Sequence, residues 1–147
     1  LYTALCDRLQ YVTQYMDDVE DCLGRLNGAV RTFYIVNYYE TEVNNGGLCQ
    51  YFVNSSRAAA PFILDALDEI EAQRHMNLLG AFVDKYDINL DDLESFAIKD
   101  IDEYESRAER YPFEEFDEAF YALYDEEHLS DELVEYCRGH IDEFAEE

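Results

Sequence analysis

The chain has 147 residues, 48% of them hydrophobic, and 35 acidic against 10 basic side chains give it a net charge of −25. This hydrophobic content excludes a disordered acidic tail, and the length suits one domain, residues 1–147, with a core of its own. The charge excludes direct binding to nucleic acid and disfavours anionic membranes, because both would repel it.

Four scattered cysteines, Cys6, Cys22, Cys49 and Cys137, form no CxxC pair. A core of this size does not need disulfide bonds, so we expect four reduced thiols, most of them buried. The sequence shows no secretory signal pattern and no apolar run of about 18 residues. These features favour a cytoplasmic protein.

Apolar residues recur at helical spacing from Leu5 through Val12 and Val19 to Leu26. Steps of three and four predict one amphipathic helix over this stretch, ended by Asn27-Gly28. Its apolar face belongs either to the core of the domain or to a dimer interface.

The next predicted helix, from Ala29 to Val43, runs into the polar segment Asn44-Asn45-Gly46-Gly47. Asn and Gly tolerate positive φ, so we expect the helix to end there in a left-handed cap. A short helix over Leu48–Asn54 is predicted to follow.

Glu40 falls on the same helical face as Phe33, Val36 and Val43, which predicts a carboxyl group directed at the core. A buried acid needs hydrogen-bond donors. The candidates are nearby in sequence: Gln50, Asn54, Ser55 and the N–H groups of the polar segment.

Helical patterns continue to the C terminus, without a convincing strand. Pro61 marks the first turn of one helix, with Ser55 or Ser56 as its candidate cap, and Ser130 is the candidate cap of the last. The last helix is expected to turn Leu133, Val134, Cys137, Ile141 and Phe144 inward. The sequence thus predicts an all-α fold, a single compact domain of roughly six to eight helices.

Patterns for catalysis or metal binding are weak. The three histidines are isolated, and no Gly-x-Ser-x-Gly segment is present. Asp87, Asn89 and Asp91 alternate like calcium ligands, but Asp92 stands where the calcium loop needs glycine and Ile98 where it needs glutamate. A helix cap explains these acids equally well. We expect no cofactor, no metal and no enzymatic activity.

The run Glu42-Val43-Asn44-Asn45-Gly46-Gly47, followed by Gln50-Tyr51-Phe52 and Asn54, resembles the signature of the DUF4375 family of DMP19-like, DNA-mimic proteins. The resemblance implies an all-helical domain and, as for a DMP19-like member, a homodimer that occupies the DNA-binding surface of a transcription regulator. Ile70-Glu71-Ala72 departs from the family's usual Ile-Gly-Ala turn. The family motif, with a structural or binding role, comprises Glu40, Glu42, Asn44, Asn45, Gly46, Gly47, Gln50, Tyr51, Phe52 and Asn54.

Most of the negative charge lies in the second half of the chain. Residues 74–147 hold 24 acids and six bases, against eleven and four in residues 1–73. Acids three or four positions apart on a helix lie ~5–6 Å from each other, a scale comparable to a nucleic-acid backbone. We expect a partner-binding surface, here called the acidic rows, formed by Asp100, Asp102, Glu103, Glu105, Glu114, Glu115, Asp117, Glu118, Asp131, Glu132, Glu135, Asp142 and Glu143 and continued by Glu146.

The leading hypothesis is a non-enzymatic acidic interaction protein, a DNA mimic that occupies the basic surface of a DNA-binding regulator. A second hypothesis is an immunity-like inhibitor of a basic toxin. A third is a small ligand-binding protein or hydrolase that uses Glu40, Glu42, Asn44, Asn45, Gln50 and Asn54. Alternatively, the acids only keep the protein in solution or suit a salty habitat.

Overall fold

Helices make up the regular structure of residues 1–145, the part of the chain that the computed structural model describes. The all-α prediction is confirmed, with nine α-helices in this part of the chain. They are α1 (Tyr2–Thr13), α2 (Val19–Arg25), α3 (Gly28–Val53), α4 (Ala60–Glu69), α5 (Gln73–Lys85), α6 (Ile101–Ala108), α7 (Phe113–Ala122), α8 (Leu129–Arg138) and α9 (Ile141–Ala145), with 3-10 turns at Ser55–Ala59, Glu94–Phe96 and Leu123–Asp125.

The single helix predicted over the first 26 residues is wrong, because the chain divides it into α1 and α2. Asp18 is extended, and its carboxylate accepts the N–H of Asp21 at 2.8 Å, which caps α2. Aspartate favours a cap because its short side chain competes for backbone N–H groups. Leu5 of α1 and Val19 of α2 are both buried. The apolar spacing therefore continues across the break between the two helices and does not indicate it.

Helix α3 occupies the centre of the domain. Four consecutive residues, Phe33 to Val36, are buried, so every side of the helix is covered at this level. Helices α4, α6, α7, α8 and α9 all pack against it.

The four C-terminal helices meet α3 at successive positions, in the reverse of their chain order. Each is tied to it by a polar side-chain contact. Along α3 these contacts join Ala29 to Glu143 of α9, Glu40 to Ser130 of α8, Leu48 to Asp117 of α7, and Cys49 to Tyr104 of α6.

Two of the predicted helix caps are wrong. Helix α4 has Ala59 at its N-cap without a side-chain bond, because residues 55–59 form a 3-10 turn in which Ser56 donates to the Tyr51 carbonyl oxygen at 2.9 Å. Ser130 lies inside α8, after the N-cap His128, and its hydroxyl points to the core.

The last predicted helix is two helices, separated after Arg138. Leu133, Cys137 and Phe144 are buried as expected, and Val134 is half-buried. Ile141 is 46% exposed, so its predicted inward position is wrong. A new helix begins at Ile141, so the apolar spacing of α8 does not fix the orientation of this side chain.

The turn between α4 and α5 has a backbone geometry that normally requires glycine, although Glu71 stands at that position. Glu71 has φ +64°, the left-handed region. The Ala72 N–H donates to the Leu67 carbonyl oxygen at 2.9 Å and the Glu71 N–H donates to that of Asp68 at 3.0 Å. This pair of bonds closes α4 in a Schellman motif, which normally places glycine at this position.

The cysteines are unpaired, as expected, with Cys22, Cys49 and Cys137 buried and Cys6 half-buried. Among residues 1–145, no helix combines the length and the apolar character required to cross a membrane.

Candidate functional site

Helix α3 is kinked at Gly47, where φ is 83° and ψ is 176°. The predicted positive φ in this segment is confirmed there, but the helix does not end at Val43, because Asn44, Asn45 and Gly46 remain helical. The kink frees the Leu48 N–H, which donates to the Asp117 carboxylate at 2.9 Å. Burial raises the pKa of Asp117, partly opposed by this N–H.

Three side chains of the family motif form a clasp across the kink. The Glu42 carboxylate accepts hydrogen bonds from the Gln50 amide at 2.7 Å and from the Asn54 amide at 3.2 Å. The Gln50 amide lies where a Cβ on Gly46 would stand, so Gly46 makes room for the clasp. Glu42 thereby joins the two limbs of α3, which are the helical segments before and after Gly47.

Glu40 is 4% exposed, which confirms its predicted burial. Its donors differ from the expected ones: Ser130 at 3.0 Å, Tyr124 at 3.1 Å and Tyr2 at 3.4 Å, all hydroxyl groups. Burial raises the pKa of Tyr2 and of Tyr124 to about 12, so both hydroxyls remain donors even above pH 10, where a free tyrosine ionises. The predicted donors were wrong because α1 and the chain around α8, which are distant in sequence, close over this face of α3.

The rest of the family motif supports this arrangement. The Asn44 amide donates to the Tyr124 hydroxyl at 2.5 Å, and Tyr51 and Phe52 are fully buried. The Tyr51 ring lies 5.1 Å from that of Tyr39, and its hydroxyl has no partner within residues 1–145. Asn45 is exposed. These contacts connect the motif residues around the kink to one another and to Tyr39 and Tyr124.

Three surface cavities of about 480, 270 and 260 Å³ are present in the described part of the chain. None of the three is lined by Glu40 or by the other polar residues of the family motif. Nor, within residues 1–145, do three or more His, Cys, Asp or Glu side chains converge as a metal site would require.

A histidine site that the sequence did not reveal lies at the start of α5. His75 is fully buried, and its Nε2 lies 2.7 Å from the carbonyl oxygen of Glu127. The Glu127 carboxylate accepts the N–H of His75 at 2.9 Å and that of Arg74 at 3.2 Å. Burial lowers the pKa of His75. Histidine and glutamate 52 positions apart carry no pattern from which this pairing could be read.

Some members of the acidic rows have tasks within the fold. Asp100 caps α6 by accepting the Glu103 N–H at 2.9 Å, and Glu103 accepts the Lys99 N–H. Glu143 accepts the Ala29 N–H at 3.0 Å, which lowers the pKa of Glu143. Others are Asp117, described above, Glu135, which pairs with Arg138 at 3.1 Å, and Glu132, whose pKa is raised by burial and by the neighbouring acids.

The remaining acids of the rows are exposed. Within residues 1–145, no hydrogen bond or ion pair engages the side chains of Asp102, Glu105, Glu114, Glu115, Glu118, Asp131 and Asp142. Glu146 lies outside the described residues.

Several arginines are occupied by backbone carbonyl oxygens instead of carboxylates. Arg31 donates to Leu23 at 3.0 Å, Arg57 to Val53 at 2.7 Å and Arg107 to Ser95 at 2.7 Å. Within residues 1–145, none of these three arginines forms an ion pair with the acids of the rows.

No curated protein and no solved structure matches this chain. A family model described as "DMP19-like protein" matches residues 24–140, which include the kinked α3 and the acids of α6, α7 and α8. The chain belongs to the DMP19-like protein family.

Proposed function

We propose that this protein is a non-enzymatic DNA mimic whose acidic rows occupy the basic surface of a DNA-binding regulator. The exposed acids stand in for phosphates, and helix packing fixes their positions. On this proposal the protein acts in the cytoplasm, as a homodimer, and binds neither nucleic acid nor membranes itself.

The observation that carries the proposal is the attachment of α6, α7, α8 and α9 at successive points along α3. The attachment points run from Ala29 to Cys49, about 30 Å along α3 at ~1.5 Å per residue, less any shortening at the Gly47 kink. Acids carried by helices attached along that length are rigidly spaced over a distance that suits an extended partner surface.

The local charge balance also supports the proposal. Like charges three and four positions apart repel, and Glu114, Glu115 and Glu118 have no cation paired with them in residues 1–145. A partner that supplied lysine and arginine would relieve this repulsion and would be steered toward the rows.

The test is a pull-down from lysate of the source cells with the full chain as bait, at about 50 mM and about 500 mM salt. We expect recovery of a basic DNA-binding protein at low salt, reduced at high salt, and displacement of duplex DNA from that protein. The variant Glu114→Gln/Glu115→Gln/Glu118→Gln should weaken the recovered complex at least about tenfold.

The matched control is Asp7→Asn/Asp17→Asn/Asp84→Asn, which changes the net charge equally at three exposed acids outside the rows. It should leave the complex within about twofold of the wild type. If both variants lost the same affinity for the partner, the binding would depend only on net charge, which would contradict mimicry. Recovery of a basic nuclease in place of a regulator would favour the toxin inhibitor.

A further inference from the structure

Two neighbouring cavities, here together called the groove, lie beside α2, the 3-10 turn at residues 55–59 and the connection from α5 to α6. The two parts of the groove have volumes of about 480 and 260 Å³ and share Pro61, Leu90 and Asp91. The larger part alone falls within the size range of binding sites, about 300–1,000 Å³. None of the acidic rows lines either part, so this groove is a separate feature of the surface.

The floor of the groove is apolar and already formed. Val19 and Leu93 belong to the buried core, and Ala58, Leu64, Ile88 and Leu90 pack against it. Because these side chains are held from below, an aliphatic side chain could enter without rearranging the fold, and would lose contact with water on entry.

The rim of the groove is acidic. Six carboxylates line the two parts against a single arginine: Asp18, Glu20, Asp65, Asp91, Asp92 and Glu94. The arginine, Arg57, is tied to the Val53 carbonyl oxygen at 2.7 Å. Within residues 1–145, no hydrogen bond or ion pair engages the carboxylates of Glu20, Asp65, Asp91 and Glu94.

We propose that this groove binds an extended basic peptide segment in which an aliphatic side chain is flanked by lysine or arginine. The floor takes the aliphatic anchor and the rim carboxylates pair with the cations, a combination that a nucleic acid or an acidic peptide does not offer. Two neighbouring cavities that share three lining residues suit an extended chain that reaches from one to the other. The site stands independently of the DNA-mimic proposal, because the two share no residue.

The test uses two fluorescent peptides, Arg-Lys-Leu-Lys-Arg and Arg-Lys-Gln-Lys-Arg, titrated into the full chain by anisotropy. The leucine peptide should bind about tenfold more tightly than the glutamine peptide, because only leucine gains from the apolar floor. Methyl NMR spectra should show shifts at Val19, Leu90 and Leu93 on addition of the leucine peptide.

The rim variant Glu20→Gln/Asp91→Asn/Glu94→Gln should weaken the leucine peptide at least about tenfold. Asp7→Asn/Asp84→Asn/Asp125→Asn removes the same charge at three exposed acids outside both the groove and the acidic rows, and should leave the affinity within about twofold. Equal weakening by both variants, or equal affinity of the two peptides, would overturn the proposal. Methyl shifts that depend on protein concentration without peptide would assign the groove to a second copy and also overturn it. Mimicry is tested separately, with the α7 variant Glu114→Gln/Glu115→Gln/Glu118→Gln, so each proposal can fail alone.

Discussion

At the scale of single residues, two backbone positions determine how the helices join. Gly47 takes φ 83° and ψ 176°, a combination that is essentially restricted to glycine. Glu71 takes φ +64° with a side chain that is not suited to it. Gly47 suits the positive φ of its position and Glu71 does not. Replacing Gly47 should therefore lower the free energy of unfolding, and replacing Glu71 by glycine should raise it.

Gly47→Ala should lower the free energy of unfolding by about 3 kcal/mol, because the new Cβ meets both an unfavourable φ and the Asp117 carboxylate. Urea unfolding measures the change. Gly80→Ala is the matched control: no atom lies near its added Cβ within α5, so it should be neutral or stabilise by up to about 1 kcal/mol. Equal effects of the two substitutions would show that Gly47 is not required by the kink.

Glu71→Gly should raise the free energy of unfolding by about 0.5–1 kcal/mol, because glycine adopts positive φ without a steric penalty but has more freedom when unfolded. Glu71→Ala is the control, since it removes the same charge and keeps the Cβ. If alanine stabilises as much as glycine, the gain comes from removing a charge near Glu132, and the backbone explanation fails.

At the scale of elements, the domain is joined by polar contacts between segments distant in sequence. The first turn of α5 is held by Glu127, through the N–H groups of Arg74 and His75 and through the His75 ring. The second limb of α3 begins at Leu48, whose N–H is held by Asp117 of α7. In both cases a helix start lacks a cap in its own sequence and receives one from another element.

The burial of His75 predicts a pH dependence of stability. Burial lowers the pKa of His75 from 6.5, so below that pH the unfolded chain takes up a proton that the folded chain does not. Stability is therefore lost as the pH falls through 6.5 toward the lower folded pKa. His75→Gln should flatten the dependence of the unfolding free energy on pH by up to about 1.4 kcal/mol per pH unit between about pH 7 and pH 5.5. Parallel wild-type and variant curves in urea titrations would contradict this role.

At the scale of the whole molecule, a net charge of −25 acts on every conformation. The folded state holds these charges closer together than the unfolded state does, so repulsion lowers its stability. Salt shortens the range of this repulsion, from about 30 Å at 0.01 M to about 3 Å at 1 M.

The melting temperature at pH 7 should therefore rise by several degrees between about 0.02 M and about 0.5 M NaCl, as measured by circular dichroism. The variant Glu114→Gln/Glu115→Gln/Glu118→Gln should show a smaller rise, because part of the repulsion has been removed. A melting temperature that falls or stays constant with salt would mean that the acids do not oppose folding.

The sequence by itself determined the all-α class, the burial of Glu40 and the presence of a left-handed residue near Gly47. Each follows from local chemistry: apolar spacing reports the buried face of a helix, and glycine reports the backbone angles that other residues avoid. The family motif was equally readable, since its residues are close together in the chain.

Only the tertiary structure decided which groups satisfy these local requirements. The donors to Glu40 come from Tyr2, Tyr124 and Ser130, and the groove assembles α2, α4 and the connection after α5. The break between α1 and α2 was hidden because both helices bury the same face against one core. Contacts between distant segments depend on how the helices pack. Apolar spacing within one segment shows which face is buried but not which other segment covers it.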